Sequence, residues 1–224
     1  MAFDFYIQTK QDLIDAVRTF GFVPLFTNSV PGFSVEEHVA SEAWFSGDEG
    51  VWEWKGPVIR ESGCAYGKFF ENKAVFISRD WFPDFANYRR DGYDFDARFD
   101  DGLASYRDRE LFELLDANAP VLSRSLKTAG NYLKGGRTGF DTSMNRLQAQ
   151  CYAVISDFVY QRDRYGRPYG WGVAEYTTPE KLFGADFTDT VYARAPEASF
   201  HRVLTHLREL LPEAEETRLR KLLR

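Results

Sequence analysis

An α+β fold is what this sequence predicts, with a winged helix-turn-helix module in the C-terminal half packed on an N-terminal α+β part that carries a small antiparallel sheet. Three observations lead there. Amphipathic helical periods alternate with runs of aromatic and β-branched residues bounded by turn signals. The 224 residues are 44% hydrophobic and 28% charged, ordinary values for a folded chain able to bury a large core. From residue 106 onward, three helical periods are followed by two strands around a glycine turn.

Taken in order, Thr9 starts a helix through DLIDAVRTF, with Leu13, Ile14, Val17 and Phe20 on one face, and Gly21 ends it. Ser34 and Glu37 have the spacing of a capping box, which predicts a second helix to about Phe45. From Val51 the segments VWEWKGPVIRE, CAYGKFF and KAVFIS are short, aromatic or β-branched, and separated by turns such as Glu71-Asn72, so an antiparallel sheet is expected. Residues 80–102 read as a short helix followed by an acidic loop at a boundary. The expected division is 1–102 for the N-terminal part and 103–224 for the module with its C-terminal helices, the alternative being one compact domain.

In the C-terminal half, Leu111, Phe112, Leu114 and Leu115 mark a helix that Pro120 prevents from continuing. Ser123 is placed to cap a second helix ending at Gly130, and a basic loop, NYLKGGRTG, follows. Asp141 or Thr142 caps a third helix. There Met144, Leu147, Gln148 and Cys151 share one face, and Thr142, Arg146, Ala149 and Gln150 look the other way. The strands AVISDFVYQ and YGWGVAEYT flank the turn RDRYGRP, and Thr178-Pro179 opens a further helix. Three helices and a hairpin is the order of a winged helix, in which RDRYGRP is the wing.

Charge distribution points to a function for that module. The net charge is -6, yet residues 121–169 hold eight Lys or Arg against three acids, a local +5 that leaves -11 for the rest. Arg124, Lys127, Arg137, Arg146, Arg162, Arg164 and Arg167 are therefore candidate phosphate contacts, with Arg146 and Gln150 able to reach base edges of duplex DNA. The plainer reading is a solvated surface that balances acids elsewhere, or a protein-interaction face. No cofactor is expected. Two cysteines, Cys64 and Cys151, and three histidines make no metal-ligand spacing, and both thiols read as reduced and structural. A start without a basic and apolar leader, and the lack of any long uncharged apolar window, give the expectation of a cytoplasmic protein without a membrane span.

Other clusters have plainer readings beside the sharper ones. Glu36, Glu37 and His38 offer a base and a proton shuttle, but a helix cap already accounts for the two acids. Asp94, Asp96, Asp100 and Asp101 miss calcium-loop spacing, since Arg98 and Phe99 stand where a ligand and a glycine are needed. His201 and His206 read as exposed or partly packed residues of an amphipathic helix. Trp44, Trp52, Trp54, Trp81 and Trp171 either fill the core or line a cleft in which a base stacks, and the place for any such pocket is near Trp52, Trp54 and Lys55.

The runs VWEWKGPVIRESGCAYGKFF, SRDWFPDFANYRRDGYDFDARFDDG and YGWGVAEYTTPEKLFG resemble a bacterial family related to the AlkZ-type DNA glycosylases, over nearly the whole chain. That resemblance implies winged-helix architecture and excision of alkylated bases through a Gln-x-Gln or Gln-x-Asp motif. Gln148-Ala149-Gln150 matches the motif, making Gln148 and Gln150 the catalytic candidates it implies.

Overall fold

The computed structural model describes residues 3, 5–44 and 50–224. Helix α1 (Lys10–Phe20) begins where the sequence places it. The Thr9 hydroxyl accepts from the Asp12 N–H, and the Asp12 carboxylate accepts from the Thr9 N–H at 2.8 Å. Gly21 closes the helix at φ 77°, and a Cβ there would stand 2.3 Å from the Trp81 ring, so both backbone and packing require glycine. Strand β1 (Phe22–Pro24) then joins β2 (Ala65–Phe70) and β3 (Lys73–Ile77) in an antiparallel sheet of order β1-β3-β2. Glu71 and Asn72, both at positive φ, make the tight turn between β2 and β3.

Two expectations in this half are corrected. Ser34 and Glu37 do bond, hydroxyl to carboxylate at 2.6 Å, but they close a turn rather than start a helix. The chain instead forms a bridge between Ile7 and Val39 and a short 3-10 turn at Ser41–Trp44, while Phe45 lies outside the described residues. The run VWEWKGPVIRE is helix α2 (Val51–Ser62), not a strand. Its buried residues Val51, Trp54, Lys55, Val58 and Ile59 fall at helical spacing, and that burial pattern outweighs the β-leaning composition. Gly63 in the left-handed region ends it.

Helix α3 (Phe82–Arg90) is the expected short helix. The acidic stretch after it is not a plain loop: Asp94 accepts from the Ala97 N–H at 2.8 Å and starts a helical turn and a half, α4 (Phe95–Asp100). Next come α5 (Tyr106–Asn118), β4 (Val121–Leu122), α6 (Ser123–Ala129), α7 (Phe140–Ala149), β5 (Val154–Arg162) and β6 (Pro168–Thr177). Strand β4 pairs with β6, so the second sheet has the order β4-β6-β5. Ser123 is the first residue of α6 rather than its cap, and neither Asp141 nor Thr142 caps α7, which begins at Phe140 with Gly139 at φ 94° in the cap position.

The last segments are α8 (Pro179–Phe183), α9 (Ala185–Thr188), α10 (Pro196–Leu210) and α11 (Glu216–Leu222). Two hydrophobic clusters result. The larger joins residues of α1, α2, α3 and the first sheet to Phe187, Val203, Leu207 and Leu222. The smaller holds Phe95, Leu111, Leu115, Leu126, Phe140, Met144, Leu147 and Tyr152. Arg90, 1% exposed, links the two halves: its guanidinium donates to Glu180 at 2.7 Å, to the Tyr192 hydroxyl at 3.0 Å and to the Cys151 carbonyl at 2.8 Å. Among the described residues no helix is long and apolar enough to cross a membrane.

Candidate nucleic-acid interface

The β5/β6 hairpin stands out from the body at its tip, where residues 161–171 are all exposed. The bend is nonetheless ordered by its own bonds. Asp163 accepts from the backbone N–H groups of Tyr165 and Arg167 at 2.8 and 2.9 Å, Arg162 donates to the Gly166 carbonyl at 2.7 Å, and Gly166 takes φ 80°. Arg164 and Arg167 lie over the Tyr165 ring at 4.6 and 5.4 Å. Tyr165, Tyr169 and Trp171 are exposed on the same hairpin, Trp171 by 73%. The tip thus combines exposed cations with exposed flat rings.

The other cations divide into two kinds. Arg146 bonds Asp108 at 2.5 Å, Arg137 pairs with Glu110, and Lys127 lies 3.1 Å from Asp141. Among the described residues, Arg124, Lys134, Arg162, Arg164 and Arg167 form no ion pair, so the free positive charge of this region is concentrated at the wing-like tip. On α7 the expected faces hold: Ser143, Met144, Leu147 and Gln148 are buried, Thr142 and Arg146 exposed, Gln150 half-buried. Asp108, buried and bonded by Ser105 at 2.8 Å, holds the Arg146 side chain in one place while leaving it about half exposed.

Gln148 and Gln150 do not converge. Gln148 is 1% exposed and its side-chain oxygen accepts the Lys68 N–H of β2 at 3.2 Å, tying α7 to the first sheet. The backbone at this end of α7 is occupied as well, since Arg89 donates to the Ala149 carbonyl at 2.7 Å and to the Leu223 carbonyl at 2.8 Å. Glu36 and Glu37 bond the N–H groups of Thr27 and Gly32, each at 2.8 Å, and His38 stacks on Phe5, so all three serve the loop they close. Burial pushes the Cys64 and Cys151 thiols up to about 12. Among the described residues no group of three His, Cys, Asp or Glu side chains is placed to hold a metal ion.

The hairpin meets α2 in an aromatic ledge. Phe26 stacks on Trp44 at 5.9 Å, both approach Trp52, and Trp52 meets Trp171 edge to face at 6.1 Å. Lys55, 6% exposed, puts its ammonium 3.7 Å from the Trp52 ring centre and 4.3 Å from that of Phe158. Burial pulls its pKa down to about 8, a shift that the Glu53 carboxylate partly opposes. Nearby, a cavity of about 510 Å³ is walled by Trp54, Pro57, Phe158 and Tyr160. Of the three residues near which a pocket was expected, Trp54 lines this cavity and Trp52 and Lys55 do not; the burial of Lys55 was missed, although the spacing Val51, Trp54, Lys55, Val58 would have revealed it once the segment was taken as helical.

A family model described as "AlkZ related" matches residues 7–224. No curated protein matches. Among solved structures, the Streptomyces sahachiroi DNA glycosylase AlkZ is similar at 13% identity and a TM-score of 0.47, over 97% of this chain and 59% of that one. The chain thus spans less than two thirds of the length of that structure.

Proposed function

The chain belongs to the AlkZ-related family, and from that premise we propose that it binds duplex DNA as a winged-helix protein, through α7 and the β5/β6 hairpin. The observation that carries this reading is the hairpin tip, where Arg162, Arg164 and Arg167 lack acidic partners among the described residues and stand beside exposed Tyr165, Tyr169 and Trp171. The helix order and the β4-β6-β5 sheet support the winged-helix reading. In it, the tip lies on phosphates and Arg124, Lys127 and Arg137 extend the contact. Arg146 and Gln150 face the groove.

Fluorescence anisotropy with duplex DNA over a salt series tests this. Affinity is expected to fall steeply with salt, and replacing the three tip arginines by alanine is expected to reduce the log–log slope by about 2.7, at roughly 0.9 per phosphate contact. Binding that ignores salt, or none at low salt, overturns the reading. A repair enzyme of the glycosylase type acting on alkylated bases is the second reading. The exposed Trp171 against Trp52 favours it, because an extruded base needs a ring to stack on. Release of base from alkylated duplexes, lost in Gln150→Ala, would support it; no released base removes it.

A further inference from the structure

Near its tip, the ladder of the β5/β6 hairpin is interrupted in a way that displays one side chain. Arg162 pairs with Pro168 and Gln161 with Tyr169, and pairing resumes at Val159 with Val173, so that Tyr160 alone faces Gly170, Trp171 and Gly172. Bulges of this kind re-aim a side chain. Both glycines serve this one: Gly170 takes φ 74°, and a Cβ on Gly172 would stand 3.0 Å from the Tyr160 ring. Tyr160 is itself tied to α2, its hydroxyl donating to the Trp52 carbonyl at 3.4 Å. Between the glycines Trp171 is 73% exposed, and the Trp52 ring behind it, 6.1 Å away, has the Lys55 ammonium 3.7 Å from its centre. A tryptophan held out in water leaves most of its large apolar surface unburied, so folding alone does not account for it.

We infer that Trp171 is a platform on which an unpaired nucleobase stacks, so that the chain binds a duplex interrupted by unpaired nucleotides more tightly than a continuous one. The preference rests on the proposed binding of DNA by the hairpin and names the form of DNA it takes. In a continuous duplex each base is covered on both faces by its neighbours, and a displayed ring meets only sugar, phosphate and base edges. A base already out of the stack offers a whole face, without the cost of extracting it. The strand that carries such a base is a polyanion, and the surroundings of Trp171 suit one. Residues 161–171 hold Arg162, Arg164 and Arg167 against a single acid, Asp163, whose carboxylate is taken up by N–H groups of the bend. Tyr165, 65% exposed, stands among those cations, and Tyr169, 53% exposed, lies between them and Trp171 in the chain, so that adjoining bases also find rings.

Fluorescence anisotropy of the full chain with two labelled DNAs tests this: a continuous duplex, and the same duplex with a run of unpaired thymines inserted in one strand. Affinity for the interrupted duplex is expected to be at least about ten-fold higher, the order of one base–ring stack. Trp171→Ala should bring that ratio below about two-fold, and Trp171→Phe, which keeps a flat ring, should hold most of it. 2-Aminopurine placed among the unpaired nucleotides reports stacking directly, and its fluorescence is expected to fall on binding the native chain but not the alanine variant. Equal affinity for the two duplexes, a preference that survives Trp171→Ala, or 2-aminopurine fluorescence that the native chain leaves unchanged overturns the inference. So does an equal loss on both DNAs in Trp171→Ala, because the ring would then be wedging into intact duplex. Salt-dependent binding of the continuous duplex without any preference overturns it alone and leaves the proposed DNA binding standing. Absence of binding to either DNA overturns both and leaves a protein contact as the use of the ring. The 2-aminopurine signal in the native chain decides the matter even if a variant fails to fold.

Discussion

At Lys55 the absence of a counter-ion among the described residues has a consequence for stability. Its folded-state pKa lies below the free value of 10.5, so folding disfavours the charged form. The penalty is full below about pH 8 and fades as the pH rises toward 10.5. A lowering from 10.5 to about 8 corresponds to roughly 3 kcal/mol. Lys55→Met is therefore expected to raise the unfolding free energy at pH 7 by up to about 3 kcal/mol, with the gain shrinking as denaturation is repeated at pH 9 and 10. A gain that stays constant with pH would mean that packing, not charge, is responsible. The two glutamines of the Gln-x-Gln match make a second comparison at this scale. Gln148→Ala leaves the half-buried Lys68 N–H without its acceptor and opens space beneath α7, a cost of about 1–3 kcal/mol, whereas Gln150→Ala is expected to stay within about 0.5 kcal/mol. Chemical denaturation of both variants checks this, and an equal cost would contradict the assignment of Gln148 to the α7/β2 contact.

The elements were legible where local signals agreed. The Thr9 cap, the Glu71-Asn72 turn and the faces of α7 all follow from short-range chemistry that the fold leaves in place. The misreading of α2 shows the limit. Trp, Val and Ile favour strands by composition, and Gly56 and Pro57 interrupt a helical impression, yet tertiary burial of one face decided the outcome. Ser34-Glu37 failed in the opposite way, because a capping pair stabilises a turn whether or not a helix follows. The α3/α8 junction lay beyond sequence reasoning altogether, since nothing local marks Arg90 as buried or pairs it with Glu180. That pair carries its own prediction. Glu180→Gln leaves a nearly inaccessible guanidinium with no carboxylate, so the expected loss is about 3 kcal/mol, read from the denaturation midpoint. A loss under about 1 kcal/mol would show that Tyr192 and the Cys151 carbonyl suffice.

Over the whole molecule, the candidate site was half legible. The basic concentration after residue 120 and the glycine-centred turn were visible in the sequence, but ion pairs with Asp108 and Glu110, both outside that segment, take up Arg146 and Arg137 and shift the free charge to the hairpin tip. Such pairings depend on how α5 lies against α7, which no local pattern encodes.

The chain's order of assembly follows from the same long-range contacts. The small cluster around Leu111, Leu126 and Leu147 comes from a continuous stretch, while the large one needs residues near both ends of the chain: Leu204, Leu207, Leu219 and Leu222 pack with Val17, Phe22, Phe76 and Phe85. A fragment of residues 103–224 would therefore expose the apolar faces of α10 and α11, and would leave Glu180 and Tyr192 without Arg90. Such a fragment is expected to lack a cooperative melting transition and to bind an apolar dye, while the full chain unfolds in one calorimetric step. Ending the fragment near residue 178 instead should improve its behaviour, because it removes those apolar faces while keeping the hairpin and all of the small cluster but Phe95. Cooperative melting of 103–224 at the temperature of the intact chain would show that the two clusters are independent, and that the contacts through Arg90 and Gln148 join units already stable alone.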